Sequence, residues 1–263
     1  MSAEPAPAAP QVTCRAVRKT FHTARGQLVA LGATDLTLAA GTVTALVGPS
    51  GCGKSTLLRI LGGLEQPDPG GAVLVGEEAP QQIRRRGELA IAFQDASLLP
   101  WRTAAGNVAL ARKLARQPAD PERVLALLRM VGLEGFEHSR PAQLSGGMRQ
   151  RAAIARCLIT EPRLLLLDEP FGAVDELTRR RLNIELPPLW SDTGTTTLLV
   201  THSVTEAVLL ADRVLVMSPR PGTIVADLSV DLARPRTAEQ LRSDRFRELV
   251  EEIGALLSVD GEA

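Results

Sequence analysis

The stretch VTALVGPSGCGKSTLLRILGGL, residues 43–64, decides the fold. A short apolar run, VTALV, reads as a strand with both faces buried. It ends in the Gly-rich segment GPSGCGKST (48–56), and TLLRILGGL follows with helical spacing. Gly48, Gly53, Lys54 and Ser55 fit the pattern GxxxxGK[ST]. Glycines let the backbone curl so that successive N–H groups face an anion. The helix that follows turns its positive end to the same place. Lys54 supplies a mobile charge for β- and γ-phosphates, and Ser55 a hydroxyl for Mg²⁺. Pro49, Ser50, Gly51, Cys52 and Thr56 complete the nucleotide-binding loop expected from this strand–loop–helix unit. Cys52 reads as a small spacer. Its place near a helix N-terminus also admits a redox-sensitive thiol.

Outward from this unit, residues 12–18 and 28–39 read as strands. AVLV and LAIAF between 70 and 93 are short strand-like pieces around a polar loop. From 103 to 160, Ala, Leu and Arg recur at helical spacing, which predicts an inserted helical subdomain over about 95–160. Strands are expected at 163–170, 195–202, 213–218 and 223–230, and helices over 176–190, 204–211 and 237–257. Pro187 and Pro188 should bend or end the third-last helix. Apolar strands alternating with helices predict an α/β fold with a mixed, largely parallel sheet. Residues 1–10, MSAEPAPAAP, read as a disordered tail rather than a signal peptide.

Composition narrows the function. Thirty basic residues balance thirty acidic ones, so no bulk basic field exists for a nucleic-acid coat or an anionic-lipid binder. Only Lys19, Lys54 and Lys113 are lysines, Tyr is missing, and no apolar run approaches the length of a membrane span. Three widely spaced cysteines, Cys14, Cys52 and Cys157, form no CxxC pair, as expected for reduced thiols.

LLLLDEP (164–170) is a buried strand ending in two acids. At that end of a parallel strand, side chains face the ligand crevice. Asp168 is the candidate Mg²⁺ ligand and Glu169 the candidate for polarising an attacking water. LSGGMRQR (144–151) opens a helix at an N-capping Ser145, with Gly146 and Gly147 leaving the backbone open to a phosphate. It is a second anion-binding helix start, and one nucleotide does not obviously need both.

LSGG followed by Gln and Arg resembles the signature of the ATP-binding cassette family. The resemblance covers about residues 12–230 and implies a P-loop NTPase core with an N-terminal antiparallel β-subdomain. In that family two cassettes face head to tail, and each signature binds the nucleotide on the other's phosphate loop. This implies that Ser145, Gly146, Gly147 and Gln150 contact ATP in trans. By the same resemblance, Gln94 in AFQDASLLP touches Mg²⁺ and the attacking water. Asp175 in FGAVDELTR crosses the dimer seam, and His202 in VTHSVTEA contacts the γ-phosphate and orients the glutamate. Phe21 in KTFHT falls where an aromatic stacks on adenine. Trp101 lies in the stretch that adjoins a membrane subunit's coupling helix in related importers. ATP and Mg²⁺ are the implied ligands.

A different phosphate-loop enzyme, such as a small-molecule kinase, fails on the signature and His202. A soluble cassette ATPase of DNA maintenance or translation would carry a coiled-coil insert or a tandem copy. FHTARGQLVAL, ASLLPWRTAAGNV and VTHSVTEAVLLADRVLVMSPRPGTI resemble importers of nitrate, sulfonate and taurine and their pyrimidine-precursor relatives. The implied partners are a second copy of the chain, an integral membrane permease and a separate solute-binding protein, without nucleic acid. The implied location is the cytoplasmic face of the inner or plasma membrane, through the permease. An importer of a pyrimidine or thiamine precursor is the alternative.

Overall fold

The computed structural model describes residues 9–24, 26–191, 193–237 and 239–259. Its strands are β1 (Val12–Thr23), β2 (Gly26–Leu38), β3 (Val43–Val47), β4 (Ala72–Val75), β5 (Leu89–Ala92), β6 (Leu164–Asp168), β7 (Thr196–Val200), β8 (Arg213–Met217) and β9 (Ile224–Ser229). Its helices are α1 (Lys54–Leu61), α2 (Pro80–Arg85), α3 (Ala104–Leu114), α4 (Pro121–Met130), α5 (Gly146–Leu158), α6 (Glu176–Glu185), α7 (Pro188–Ser191), α8 (Val204–Leu210) and α9 (Asp244–Val259).

The central sheet runs β5-β6-β7-β3-β8-β9, all parallel except β9. Each residue of β3, β6 and β7 is buried, Thr44, Asp168, Thr196 and Thr197 included, so both faces of these central strands lie inside. Side chains alternate between two cores because successive residues of a strand point to opposite faces. Val43, Ala45, Val47, Leu165 and Leu167 join α3–α5, α8 and α9 on one face. Leu46, Leu164 and Leu166 join α1, α2 and the first sheet on the other. That first sheet is antiparallel, in the order β2-β1-β4. The α/β architecture with a mixed central sheet and an N-terminal antiparallel sheet is therefore the one expected. The stretch 95–160 holds α3, α4 and α5.

Four boundaries differ from the sequence reading. The β1–β2 hairpin extends to Thr23 and Gly26. Register shifts between Cys14 and Thr20 blur the alternation that would have marked it. The polar loop near 80 contains α2, whose inward apolar anchor is Ile83. The helix expected over 176–190 ends at Glu185, and a new turn starts with Pro188 at its first position, where the lacking N–H costs nothing. The C-terminal helix starts at Asp244, not near 237, with Ser243 Oγ accepting the Phe246 N–H at 3.2 Å. The chain before it is occupied otherwise: Arg234 and Arg236 reach back to the end of α8. Of the tail read over 1–10, residues 1–8 lie outside the described residues. Pro10 is buried, and its carbonyl accepts the Thr196 hydroxyl at 2.7 Å.

Candidate functional site

The parallel strands deliver their C-terminal ends to one crevice. β3 leads into Gly48, β6 ends at Asp168, Gln94 lies two residues past β5, and His202 two residues past β7. This is where an open α/β sheet binds ligands.

The loop 48–53 closes on Gly53, whose φ is 113° and whose missing Cβ would lie 2.8 Å from the Ala30 carbonyl. Only glycine combines that backbone with that approach. α1 then begins at Lys54 with neither a side-chain cap nor an acid in its first turn. Its positive end is left to an external anion. Pro49, Ser50 and Gly51 form the exposed tip, while Ser55 and Thr56 are half-buried at the helix start. Lys54 is buried, and its Nζ donates to the carbonyls of Gly48 at 2.7 Å and Pro49 at 2.9 Å. Its charge therefore sits across the mouth of the loop. Cys52 is 1% exposed, which favours the spacer reading over a reactive thiol. Burial pushes the Cys14 thiol up to about 12 and the Cys157 thiol up to about 11, so neither is a ready nucleophile.

Ser55 Oγ donates to Asp168 Oδ1 at 3.1 Å. Burial raises the Asp168 carboxyl above its ordinary range, and the adjacent Glu169 charge adds to this against the Ser55 hydrogen bond. A buried carboxylate beside a hydroxyl is an oxygen donor set that suits a hard divalent cation. Among the described residues no cluster of three His, Cys, Asp or Glu could hold a metal alone. The residues present therefore fit a divalent cation such as Mg²⁺ only where further oxygen ligands complete its shell.

Glu169 is held at φ 48°, a left-handed conformation that a non-glycine residue adopts at a cost. Its backbone N–H donates to the Val200 carbonyl at 2.8 Å, which fixes the turn after β6. The side chain meets two partners at one oxygen. Gln94 Nε2 donates to Oε2 at 3.1 Å, and His202 Nδ1 lies 3.4 Å from the same atom. Lys54, Ser55, Asp168, Glu169, Gln94 and His202 are thereby linked around one crevice.

Ser145 caps α5 by accepting the Met148 N–H at 3.2 Å, with Ser145 and Gly146 exposed. Gly147 packs against the Ala173 carbonyl, so the signature and the turn leading to Asp175 share a surface. Asp175 caps α6 by accepting the Thr178 N–H, and that bond lowers its carboxyl below the ordinary range. Among the described residues no hydrogen bond joins Ser145–Gly147 to the phosphate loop of the same chain. Gln150, grouped with the nucleotide contacts in the sequence, lies inward instead. It is 1% exposed and donates to the Phe93 carbonyl at 3.0 Å, which ties α5 to the strand end beside Gln94. Phe21 is half-buried near the end of β1, with Lys19 Nζ 5.2 Å from its ring centroid.

Three supporting residues carried no role in the sequence. Asn107 is buried and brackets the loop after Gln94. It accepts the Leu99 N–H at 2.7 Å and donates to the carbonyls of Leu99, Arg102 and Thr103. Arg156 donates to the Ala96 and Ser97 carbonyls of that loop. Glu206 is buried behind the His202 turn and accepts the Thr201 hydroxyl. Asn107 and Glu206 are polar residues inside apolar helices, the only hint available before folding. Trp101, at the far end of the Gln94 loop, is 68% exposed.

Comparison with known proteins shows the family of the chain. The ABC transporter family model matches residues 31–172. The nitrate import ATP-binding protein NrtD of Synechococcus elongatus is 43% identical, over 89% of this chain and 86% of that protein. The aliphatic sulfonates import ATP-binding protein SsuB of Pseudomonas entomophila is 47% identical, over 93% and 85%. A solved ATP-binding cassette, MJ0796, in a dimeric post-hydrolysis state with ADP and Pi, superposes with a TM-score of 0.77 at 31% identity. It covers 84% of this chain and 100% of that one. The phosphate loop, the acid pair and the capped signature helix lie on the fold that this matching predicts, and the chain belongs to the ABC transporter family of ATP-binding proteins.

Proposed function

We propose that the chain is the ATP-hydrolysing subunit of a membrane importer, working as a head-to-tail pair. The observation that carries this reading is the convergence of Gln94 and His202 on one oxygen of Glu169, beside the Ser55–Asp168 pair. ATP lies with its phosphates on the loop Gly48–Thr56 and its base against Phe21. Ser55, Asp168 and Gln94 would hold Mg²⁺, which would supply charge neutralisation to the transferring phosphate. Glu169 accepts a proton from the water that attacks the γ-phosphorus, and the bond to ADP breaks on the opposite side. His202 keeps that carboxylate oriented and faces the γ-phosphate. Catalysis of this kind is mainly positioning and charge stabilisation.

The exposed Ser145 and Gly146, without a bond to their own phosphate loop, support a role toward the nucleotide of a second copy, with Asp175 at the seam. No helix among the described residues is long and apolar enough to cross a membrane. The membrane part is then a separate permease, reached through the surface from Gln94 to the exposed Trp101. The chain sits at the cytoplasmic face through that partner. The relatives support a small anion such as nitrate, sulfonate or taurine as the solute. A separate solute-binding protein would deliver it. The balanced charge supports no role for nucleic acid.

Mixing two inactive variants tests the composite site. A Lys54→Ala chain and a Ser145→Arg chain each lack ATPase activity alone. In an equimolar mixture half the dimers are mixed, each with one intact site, so about a quarter of wild-type activity returns. A mixture that stays inactive contradicts the head-to-tail arrangement.

A further inference from the structure

The turn Ser218-Pro219-Arg220-Pro221-Gly222-Thr223, between β8 and β9, has no role in the reading above. It is closed on itself: Ser218 N–H donates to the Thr223 carbonyl at 2.9 Å, and Thr223 N–H to Ser218 Oγ at 3.1 Å. It is also anchored to β2. Gly32 N–H donates to the Gly222 carbonyl at 2.9 Å, and Gly222 N–H to the Ala30 carbonyl at 3.2 Å.

From this anchored turn two contacts reach the phosphate loop. Arg220 donates through both Nε, at 3.1 Å, and Nη2, at 2.8 Å, to the single carbonyl oxygen of Gly51. Gly222 lies so close under the Cys52 carbonyl that a Cβ there would be 2.0 Å from its oxygen. Two successive loop carbonyls are therefore held against the turn. A trans peptide points its C=O and the following N–H in opposite directions. Holding the Gly51 and Cys52 carbonyls outward turns the N–H groups of Cys52 and Gly53 to the inside of the loop. The Cys52 N–H indeed faces the Pro49 carbonyl at 3.4 Å, beside Lys54 Nζ.

We propose that Arg220 is a positioning residue for the phosphate loop, and that the Pro219–Gly222 turn is the splint on which it acts. Arg220 suits this task because a guanidinium presents two donors in a fixed fork, where an ammonium presents a point charge. The two flanking prolines restrict the turn that carries it. The inference rests on the nucleotide-binding reading of the loop. It concerns the ground-state shape of that loop, so it belongs to nucleotide affinity and not to the chemical step.

The test is titration calorimetry with ADP and Mg²⁺ on the full chain, paired with turnover at saturating ATP. Arg220→Ala should raise the Kd for ADP about fivefold, as expected for losing a forked pair of exposed hydrogen bonds that reaches the ligand only through the loop. Its kcat and unfolding midpoint should stay at wild-type values. Arg220→Lys should recover only part of the lost affinity. An Arg220→Ala Kd within twofold of wild type, or a fall in kcat with Kd unchanged, overturns the assignment. Full recovery by Arg220→Lys also overturns it, because charge alone would then suffice. A wild-type chain that binds no ADP would instead sink the nucleotide-binding reading itself.

Discussion

His202 Nδ1 lies 3.4 Å from Glu169 Oε2, the same oxygen that accepts the Gln94 amide. The two residues come from the ends of adjacent parallel strands, β7 and β6. Their approach is set by sheet register and not by a flexible loop. His202→Ala should therefore lower kcat by about 10²–10³-fold, the scale of losing one preorganised polar contact to a reacting group. The Kd for ATP should change little. Equal losses in binding and turnover would assign His202 to the ground state.

Glu206 offers a pH-dependent prediction. Burial raises its carboxyl above the ordinary 4.5, against the hydrogen bond from Thr201, and Oε1 has no partner. The folded chain thus keeps a proton that the unfolded chain loses near 4.5. Stability from this group is complete below that value and falls as pH rises through the raised folded value. Glu206→Gln removes the dependence. The variant should melt higher than wild type near pH 8, by on the order of 1 kcal/mol, and the gap should narrow toward about pH 5. Parallel melting curves across that range would show that Glu206 is ionised in the fold.

Arg236 should matter for folding without touching the crevice. Its Nη1 donates to the carbonyls of Val208, Leu209 and Ala211, which closes the C-terminal end of α8. Desolvation lowers its guanidinium to about 10, and Asp212 lies 3.9 Å away. Arg236→Ala leaves buried carbonyls without a donor and should cost about 3 kcal/mol by urea unfolding. A loss under about 0.5 kcal/mol would mean that water replaces the side chain.

Much of the site was legible because its motifs are local. GPSGCGKST carries strand end, loop and helix start in nine consecutive residues, and LLLLDEP carries its own strand. The burial of the strands that lead into them, β3 and β6, follows from mostly apolar runs that leave no face for water. The illegible parts depend on contacts between distant segments. Nothing near Gln150 signals that its amide will meet the Phe93 carbonyl. Nothing near Arg234 or Arg236 says that this stretch will grip α8 instead of starting the last helix. The register shifts of the β1–β2 hairpin hide the period of two, so its outer residues carry no clear strand pattern in the sequence. The arginine excess, 27 of 30 basic residues, gains a structural account in the same contacts. Arg149, Arg151, Arg156, Arg220 and Arg236 all donate to backbone carbonyls at loop and helix ends.

The most direct measurement of the central claim is the ATPase turnover of Glu169→Gln, combined with sedimentation in ATP and Mg²⁺. The amide keeps the size and the contacts with Gln94 and His202 but cannot take a proton. The variant should bind ATP, sediment as a dimer only when ATP is present, and turn over about 10²–10⁴-fold more slowly than wild type. Wild-type turnover, or a chain that stays monomeric with ATP bound, would contradict the account.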